Sequence, residues 1–388
     1  MVSTRTMIRR TAFALALAAL AGACGADTPT QPEPSEDDAE AARLVLGLAW
    51  GPHRWMGELD GLQVVRQVWL PDAWVGLSPT TWYLEGGTLV APTTELPDGG
   101  AFRIWELEVE PEGERRPTAY TGPFAPLQWG ADGSLLHLGN EVGLGPLVRI
   151  VDARAATVQY QLATGMPGSL NDNLVANADG TRAFVVGPAQ GWIAIGALQE
   201  EGWALVGSLG PGLDRFRSAR LFLGSRRGAI ARAAATHRLE LDWIDLDGPD
   251  LPIGSAATYP VQLDYAHVDP DDEAVLLFGE PADALRTYAW CMWHPASGGF
   301  TDLAHLDLST TVTLLPSPHG IRIVDGALTV EDGTAWLRVY DVDEEGTILA
   351  EGRIELEPPP PSSFTERTNA IAPVRTGADP WGDEAHAP

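Results

Sequence analysis

Lysine is absent from this 388-residue chain: all 25 basic residues are arginine, set against 53 aspartates and glutamates for a formal charge of −28. Without lysine a Gly-x-x-x-x-Gly-Lys phosphate loop cannot exist. So acidic a surface also lacks the positive charge on which nucleic-acid binding rests. Cysteine is scarce too. Only Cys24 and Cys291 occur, so no disulfide framework supports the fold and stability must come from a core. No Gly-x-Ser-x-Gly elbow is present, which removes one class of serine hydrolase. The eight histidines (53, 137, 237, 267, 294, 305, 319 and 386) form no His-x-His or His-Glu-x-x-His. None of the compact transition-metal spacings is therefore found, although ligands drawn from distant segments would escape that test.

What the chain does contain is glycine (42), proline (31) and tryptophan (14), in a sequence 45% hydrophobic and 20% charged. That mixture favours many short strands joined by tight turns over long helices.

The first residues read as an export signal. Arg5, Arg9 and Arg10 form a basic start, and Thr11–Leu20 (TAFALALAAL) an apolar stretch of signal length, too short to span a bilayer as a mature helix. The segment Leu20-Ala21-Gly22-Ala23-Cys24 resembles the bacterial lipobox, with Ala21 where leucine is usual. The resemblance implies a signal peptide over 1–23, lipid attachment at Cys24 and a membrane contact made through that lipid. The other reading is an ordinary secretory signal cut near Ala23. Removal of the signal leaves 22 arginines against 53 acids, a formal charge of −31. Such a body is repelled by anionic lipid. Gly25, where aspartate would retain a lipoprotein at the inner membrane by the best-known sorting rule, implies the outer membrane, facing either the periplasm or the exterior.

Residues 24–42 are acidic, rich in proline and nearly devoid of large apolar side chains, the composition of a tether. Residues 357–388 open on Pro358–Pro361 and continue polar, which predicts a disordered tail. The folded body is expected over 43–356.

Within that body a pattern repeats. An apolar strand enters an Asp-Gly or equivalent turn and a second strand leaves it: Leu127–Leu138 around Asp132-Gly133, Leu174–Val186 around Asp179-Gly180, Tyr265–Phe278 around Asp271-Asp272, and Ala219–Ala231 around Ser225–Gly228. Asp-Gly suits a type I′ hairpin turn. A second apolar strand recurs from 102, 147, 192, 239, 287 and 336, at spacings of 45 to 49 residues, and Leu62–Trp69 adds a more degenerate copy. A period of 40 to 50 residues is that of four-stranded propeller blades. The pattern resembles the WD40-like and YVTN-type β-propellers, which implies an all-β ring of about seven four-stranded blades, with six or eight as alternatives. Leu44–Trp50 is expected either as the first inner strand or as the strand that clasps the ring shut. A β-sandwich would not account for the period.

Candidate sites are few. Asn171, Asp172 and Asn173 enter one inner strand, and Asp214, Arg215 and Arg217 enter the next, so the two loops are expected on one face of the ring. Arg215 and Arg217 belong to a run of seven arginines between 215 and 238; Arg226 and Arg227, beyond the inner strand, are expected at the opposite end of the blade. Asp245–Asp250, Asp269–Glu273 and Asp341–Glu345 look like parts of calcium loops but lack a full ligand set. Calcium is therefore a weak expectation, and neither another cofactor nor a metal centre is predicted. In Trp290-Cys291-Met292-Trp293-His294, strand alternation sends Cys291 and Trp293 to the face opposite Trp290, Met292 and His294.

With no catalytic set recognised, the leading expectation is a lipid-anchored binding or scaffold module for a protein, peptide or glycan. Outer-membrane assembly lipoproteins offer a propeller precedent by resemblance. The alternative is a periplasmic propeller enzyme such as a lactonase-like hydrolase, its metal site assembled from several blades.

Overall fold

The computed structural model describes residues 44–382, except for 71–77, 94–100, 110–114, 124–126, 142–144, 154, 156, 170–171, 236–237, 249, 260, 270–273, 282–288, 318–319, 332–333 and 359–367. The expected signal at 1–23, Cys24 and the expected tether at 24–42 lie outside the described residues.

The chain forms seven blades, each a sheet of four antiparallel strands. Blade 1 holds β1 (Leu44–Trp50), β2 (His53–Asp60) and β3 (Gln63–Leu70); blade 2 holds β4 (Tyr83–Glu85), β5 (Thr88–Thr93), β6 (Ala101–Glu108) and β7 (Arg115–Pro123). Blade 3 is β8 (Leu127–Trp129), β9 (Leu135–Glu141), β10 (Gly145–Asp152) and β11 (Thr157–Ala163), and blade 4 is β12 (Asn173–Ala176), β13 (Arg182–Gly187), β14 (Trp192–Gln199) and β15 (Gly202–Leu209). Blade 5 is β16 (Ala219–Leu223), β17 (Arg227–Ala235), β18 (Arg238–Asp245) and β19 (Ile253–Tyr259); blade 6 is β20 (Val261–Val268), β21 (Val275–Pro281), β22 (Ala289–His294) and β23 (Gly299–Asp302). Blade 7 is β24 (Val312–Leu315), β25 (Ile321–Glu331), β26 (Thr334–Val342) and β27 (Ile348–Leu356). The inner edge of blade 1 comes from the far end of the chain, as β28 (Thr368–Pro373), and a two-residue strand β29 (Arg375–Thr376) then runs parallel to β4.

Seven apolar clusters hold the ring, one at each junction between neighbouring blades. The two-residue period of a strand makes this possible, because alternate side chains point to opposite blades. In β14, Trp192 and Ala194 pack toward blade 3, while Ile193 and Ile195 pack toward blade 5. In β22, Trp290 and Met292 face blade 7, whereas Cys291 and Trp293 face blade 5, the alternation expected from sequence. The last junction joins Val324, Leu337 and Ile354 of blade 7 to Leu46, Leu48 and Trp55 of blade 1 and so completes the circle.

The six repeating segments from 102 to 336 all fall on the third strand of a blade. The seventh copy does not: Leu62–Trp69 belongs to the outer strand β3, and the third strand of blade 1 is β2, whose His53, Arg54 and Glu58 are polar yet buried. Leu44–Trp50 is neither an inner strand nor the clasp, but the second strand, hydrogen-bonded to β28 on one side and β2 on the other. The expectation that the fold stops at 356 is corrected in the same way. Residues 368–382 carry β28, β29 and Trp381, which is 5% exposed in the core between blades 1 and 2.

The inner hairpins sit where the Asp-Gly motifs placed them, with a different turn. Gly133 and Gly180 have φ of 74° and 72°, but Asp132 and Asp179 do not share the positive φ that type I′ demands. Each aspartate instead accepts, through Oδ1, the amide and hydroxyl of the residue two places on, Ser134 or Thr181. That is an Asx arrangement followed by a left-handed glycine. The equivalent turn at 271–273 lies outside the described residues.

Six of the seven pairings between third and fourth strands shift register by a β-bulge. Bulges increase strand twist. They also account for two of the most exposed apolar side chains, since Val65 and Leu349 are the extra residues at their bulges.

Candidate functional site

Strand direction alternates in every blade. Connections from a fourth strand to the next first strand therefore share one end of the ring, the upper face, with connections from second to third strands. Both predicted loops lie on this face, the first through its described residues 164–169 and 172 and the second over 210–218.

The loop before β16 is pinned to blade 4. Gly212 and Leu213 donate to the carbonyls of Gln190 and Gly191 at 2.9 and 3.0 Å, and Ser218 donates to Pro188 at 3.1 Å. Gly191 has φ of 68°, and a Cβ there would stand 2.5 Å from the Leu213 carbonyl oxygen, so only glycine fits. Asp214–Phe216 makes one 3-10 turn anchored by the fully buried Phe216. The Arg215 guanidinium lies 4.9 Å over the Phe216 ring, and the exposed Arg217 stands 3.6 Å from Asp214.

Beneath the loop, Arg232 bridges Asp242 and Glu240, each at 3.1 Å, and reaches the Asp214 carbonyl at 3.4 Å. Asp242 is buried; desolvation pushes its carboxyl pKa up, against the pull of Arg232 and Arg215. The arginines of this run do not make one cationic patch. Arg215, Arg217 and Arg232 are set among Asp214, Glu240 and Asp242, and Arg220 donates to the Leu263 carbonyl. Arg226 pairs with Asp247 at 2.6 Å, in a turn on the opposite face as expected.

In the other loop Asp172 closes a local turn, accepting the Ser169 amide at 2.8 Å and hydroxyl at 3.1 Å. Burial raises its pKa, and these bonds oppose the rise. Asn173 caps its own strand by accepting the Leu174 amide, and Asn171 lies outside the described residues. The two loops share a face but serve different junctions, between blades 3 and 4 and between blades 4 and 5.

The acidic segments are likewise spent on structure. Asp245 accepts the Asp247 amide, and the guanidinium of Arg226 takes the side chain of Asp247. Asp341 forms a buried, two-pronged pair with Arg322 at 2.7 and 2.8 Å, and Asp343 accepts the Thr347 amide. Among the described residues no group of three or more His, Cys, Asp or Glu is arranged to hold a metal.

One upper-face feature escaped sequence reading. Trp50 and His53 flank the Gly51-Pro52 turn with rings stacked 5.8 Å apart, and Trp69, at the end of β3, meets both edge-on at 6.5 and 6.3 Å. Arg54 fixes the turn by donating to the Gly51 and His53 carbonyls at 2.8 and 2.7 Å. The Trp69 indole donates to Glu357 at 3.1 Å. Trp50 and Trp69 are half-buried, so each keeps part of its ring in contact with solvent. The cue was the Trp-Gly-Pro-His sequence, but Trp69 joins it only through strand pairing.

No family model and no curated protein matches the chain. Among solved structures it is similar to a candidate 6-phosphogluconolactonase from Bacteroides uniformis, at 14% identity over 86% of this chain and 99% of that one, with a TM-score of 0.49. It is also similar to the periplasmic gluconolactonase PpgL of Pseudomonas aeruginosa (14% identity, 84% and 99%, 0.42) and to apo AztD of Citrobacter koseri (11%, 85% and 98%, 0.41). At such identities the likeness is one of fold, and the seven-bladed propeller stands on this chain's own strand order.

Proposed function

We propose that the chain is a lipid-anchored binding module of the bacterial cell envelope, held through Cys24 at the outer membrane, with a protein, peptide or glycan docking on its upper face. The observation that carries this reading is the cluster of Trp50, His53 and Trp69. Half-buried indoles offer a flat apolar face with a polar tip, which suits stacking on a sugar ring or an apolar side chain. The turn between Trp50 and His53 is held by Arg54, which limits the ordering entropy lost on binding. The reading needs no cofactor. Titration of the full chain in detergent against envelope glycans and peptides, followed by tryptophan fluorescence, tests it: binding lost in Trp69→Ala and Trp50→Ala supports it, and binding unchanged in both overturns it.

A second reading, a periplasmic lactonase-like hydrolase, draws on Asp242. A buried carboxyl with a raised pKa beside Arg215 and Arg232 has the electrostatics of a general base next to anion-stabilising groups. Lactone hydrolysis abolished by Asp242→Asn would favour this reading over binding alone.

A further inference from the structure

The outer strand of blade 3 differs from its counterparts. Strand β11 reads Thr-Val-Gln-Tyr-Gln-Leu-Ala, ends its sheet, and is exposed at every residue except the half-buried Leu162. Val158 is 42% exposed and Tyr160 37%. No charged residue occurs from Ala155 to Asn171, a run of 17 in a chain of formal charge −28. Exposed edge strands present unpaired backbone groups, and natural sheets guard them with charge, proline or short length. The other outer strands show those guards: Arg66 in β3, two arginines and two prolines in β7, four residues ending in Asp302 in β23, and Glu351, Arg353 and Glu355 in β27. Strands β15 and β19 are likewise uncharged, but the charges that precede them are acids alone, Glu200–Glu201 and Asp247–Asp250, whereas one acid and one arginine, Asp152 and Arg154, precede β11. The bulge at Gln159 has equivalents in most blades and does not set β11 apart.

A second feature adjoins it. Between blades 3 and 4 the small residues Ala183, Ala194 and Gly196 leave an apolar crevice, bordered by Leu162 of β11 and by Trp203 and Leu205 of β15. Leu205 is 40% exposed, so apolar surface continues from β11 across the junction.

We infer that β11 is a self-pairing edge through which two copies of this chain form a symmetric dimer. The occupant that the edge requires is an extended, uncharged segment with an apolar side chain at every second position. Strand β11 is itself such a segment beyond its bulge, with Tyr160 and Leu162 on one face alternating with Gln161 and Ala163, while the bulge at Gln159 turns Val158 to the other face. The net charge makes two copies repel one another, and at this strand neither brings a charge of its own. A two-fold axis at Gln161 sets Tyr160 of each copy opposite Leu162 of the other and Gln161 opposite itself, joining two four-stranded blades into one sheet. The contact is isologous, so it closes at two copies and does not propagate.

The self-opposed Gln161 gives the test. On the full chain in detergent, sedimentation should show a dimer that weakens tenfold or more in Gln161→Glu and in Gln161→Arg, since each places like charges directly opposite one another. Mixing the two variants should restore pairing as a heterodimer. Gln161→Cys should cross-link copy to copy under mild oxidation, while Ser208→Cys on β15 should not. A wild-type chain monomeric to about 100 μM, a dimer indifferent to both charge variants, or equal cross-linking at 161 and 208 would overturn the inference.

Discussion

Arg375 donates from Nη2 to the carbonyl of Asn177 at 3.2 Å, across 198 residues of sequence. The contact carries β29, on the inner edge of blade 2, past blade 3 to the inner hairpin turn of blade 4. It belongs to a belt on the lower face. Ala131 donates to Gly180 at 2.8 Å and Ala178 to Gly224 at 2.9 Å, so successive inner turns are bonded to one another.

Gly180 is held by that belt as well as by its φ. A Cβ there would stand 2.8 Å from the Ala131 amide nitrogen and 2.9 Å from the Arg375 guanidinium carbon. Gly180→Val is expected to destabilise by about 3 kcal/mol or more, the left-handed strain being only about 1–2 of that. Gly61, at φ of 61° with open space around it, isolates the strain, and Gly61→Ala should cost about 1 kcal/mol. Chemical denaturation of both separates clash from strain; equal losses would contradict the belt.

Trp381 stands seven residues before the last residue given, yet its ring is buried between blades 1 and 2 and carries Arg66 at 4.6 Å. Trp381→Ala should lower stability by about 3–5 kcal/mol, as for a core aromatic. A loss under about 1 kcal/mol in urea unfolding would show that the terminal segment does not hold the ring.

Burial pushes the His267 pKa down from 6.5 to about 4, in the direction that disfavours the charged ring. The unfolded chain then binds more protons between those values. Stability should therefore fall as pH drops from about 6.5 to 4 and level off below, by roughly 3 kcal/mol at most from this residue. His294, also lowered by burial, adds in the same direction. In His267→Gln the slope of unfolding free energy over this window should flatten; an unchanged slope would exclude His267 as its source.

Cys24→Ser is expected to move the protein from the membrane pellet to the soluble fraction without unfolding the body, since an acidic surface gains nothing from anionic lipid. Cell fractionation with a salt wash, and circular dichroism of the released protein, check both halves. Retention in the washed pellet would refute the lipid anchor.

The third strands of the blades were legible because each, like the second, has neighbours on both edges and cores on both faces, which gives it a strong apolar signal. Strand β2 was hidden by the buried His53, Arg54 and Glu58, while the outer β3, with its cleaner alternation, took its place. Strand β28 was illegible for another reason: its six residues become a strand only by pairing with β1, more than 300 positions upstream. The same limit applied to the upper face. Asp214 and Arg217 are neighbours in sequence and were found, whereas Asp242 and Trp69 reach their clusters through strand pairing.

Because β1 pairs with β28, the first blade cannot be completed until residues 368–373 are available. A chain synthesised from its N-terminus delivers Leu-Val-Leu-Gly-Leu-Ala-Trp early and its inner partner late, and the core between blades 7 and 1 stays open meanwhile. For the whole of that interval an apolar edge waits unpaired and open to aggregation. Timing, more than final stability, is then where this architecture is exposed, and an escort that covers β1 until residue 373 arrives would act at that moment.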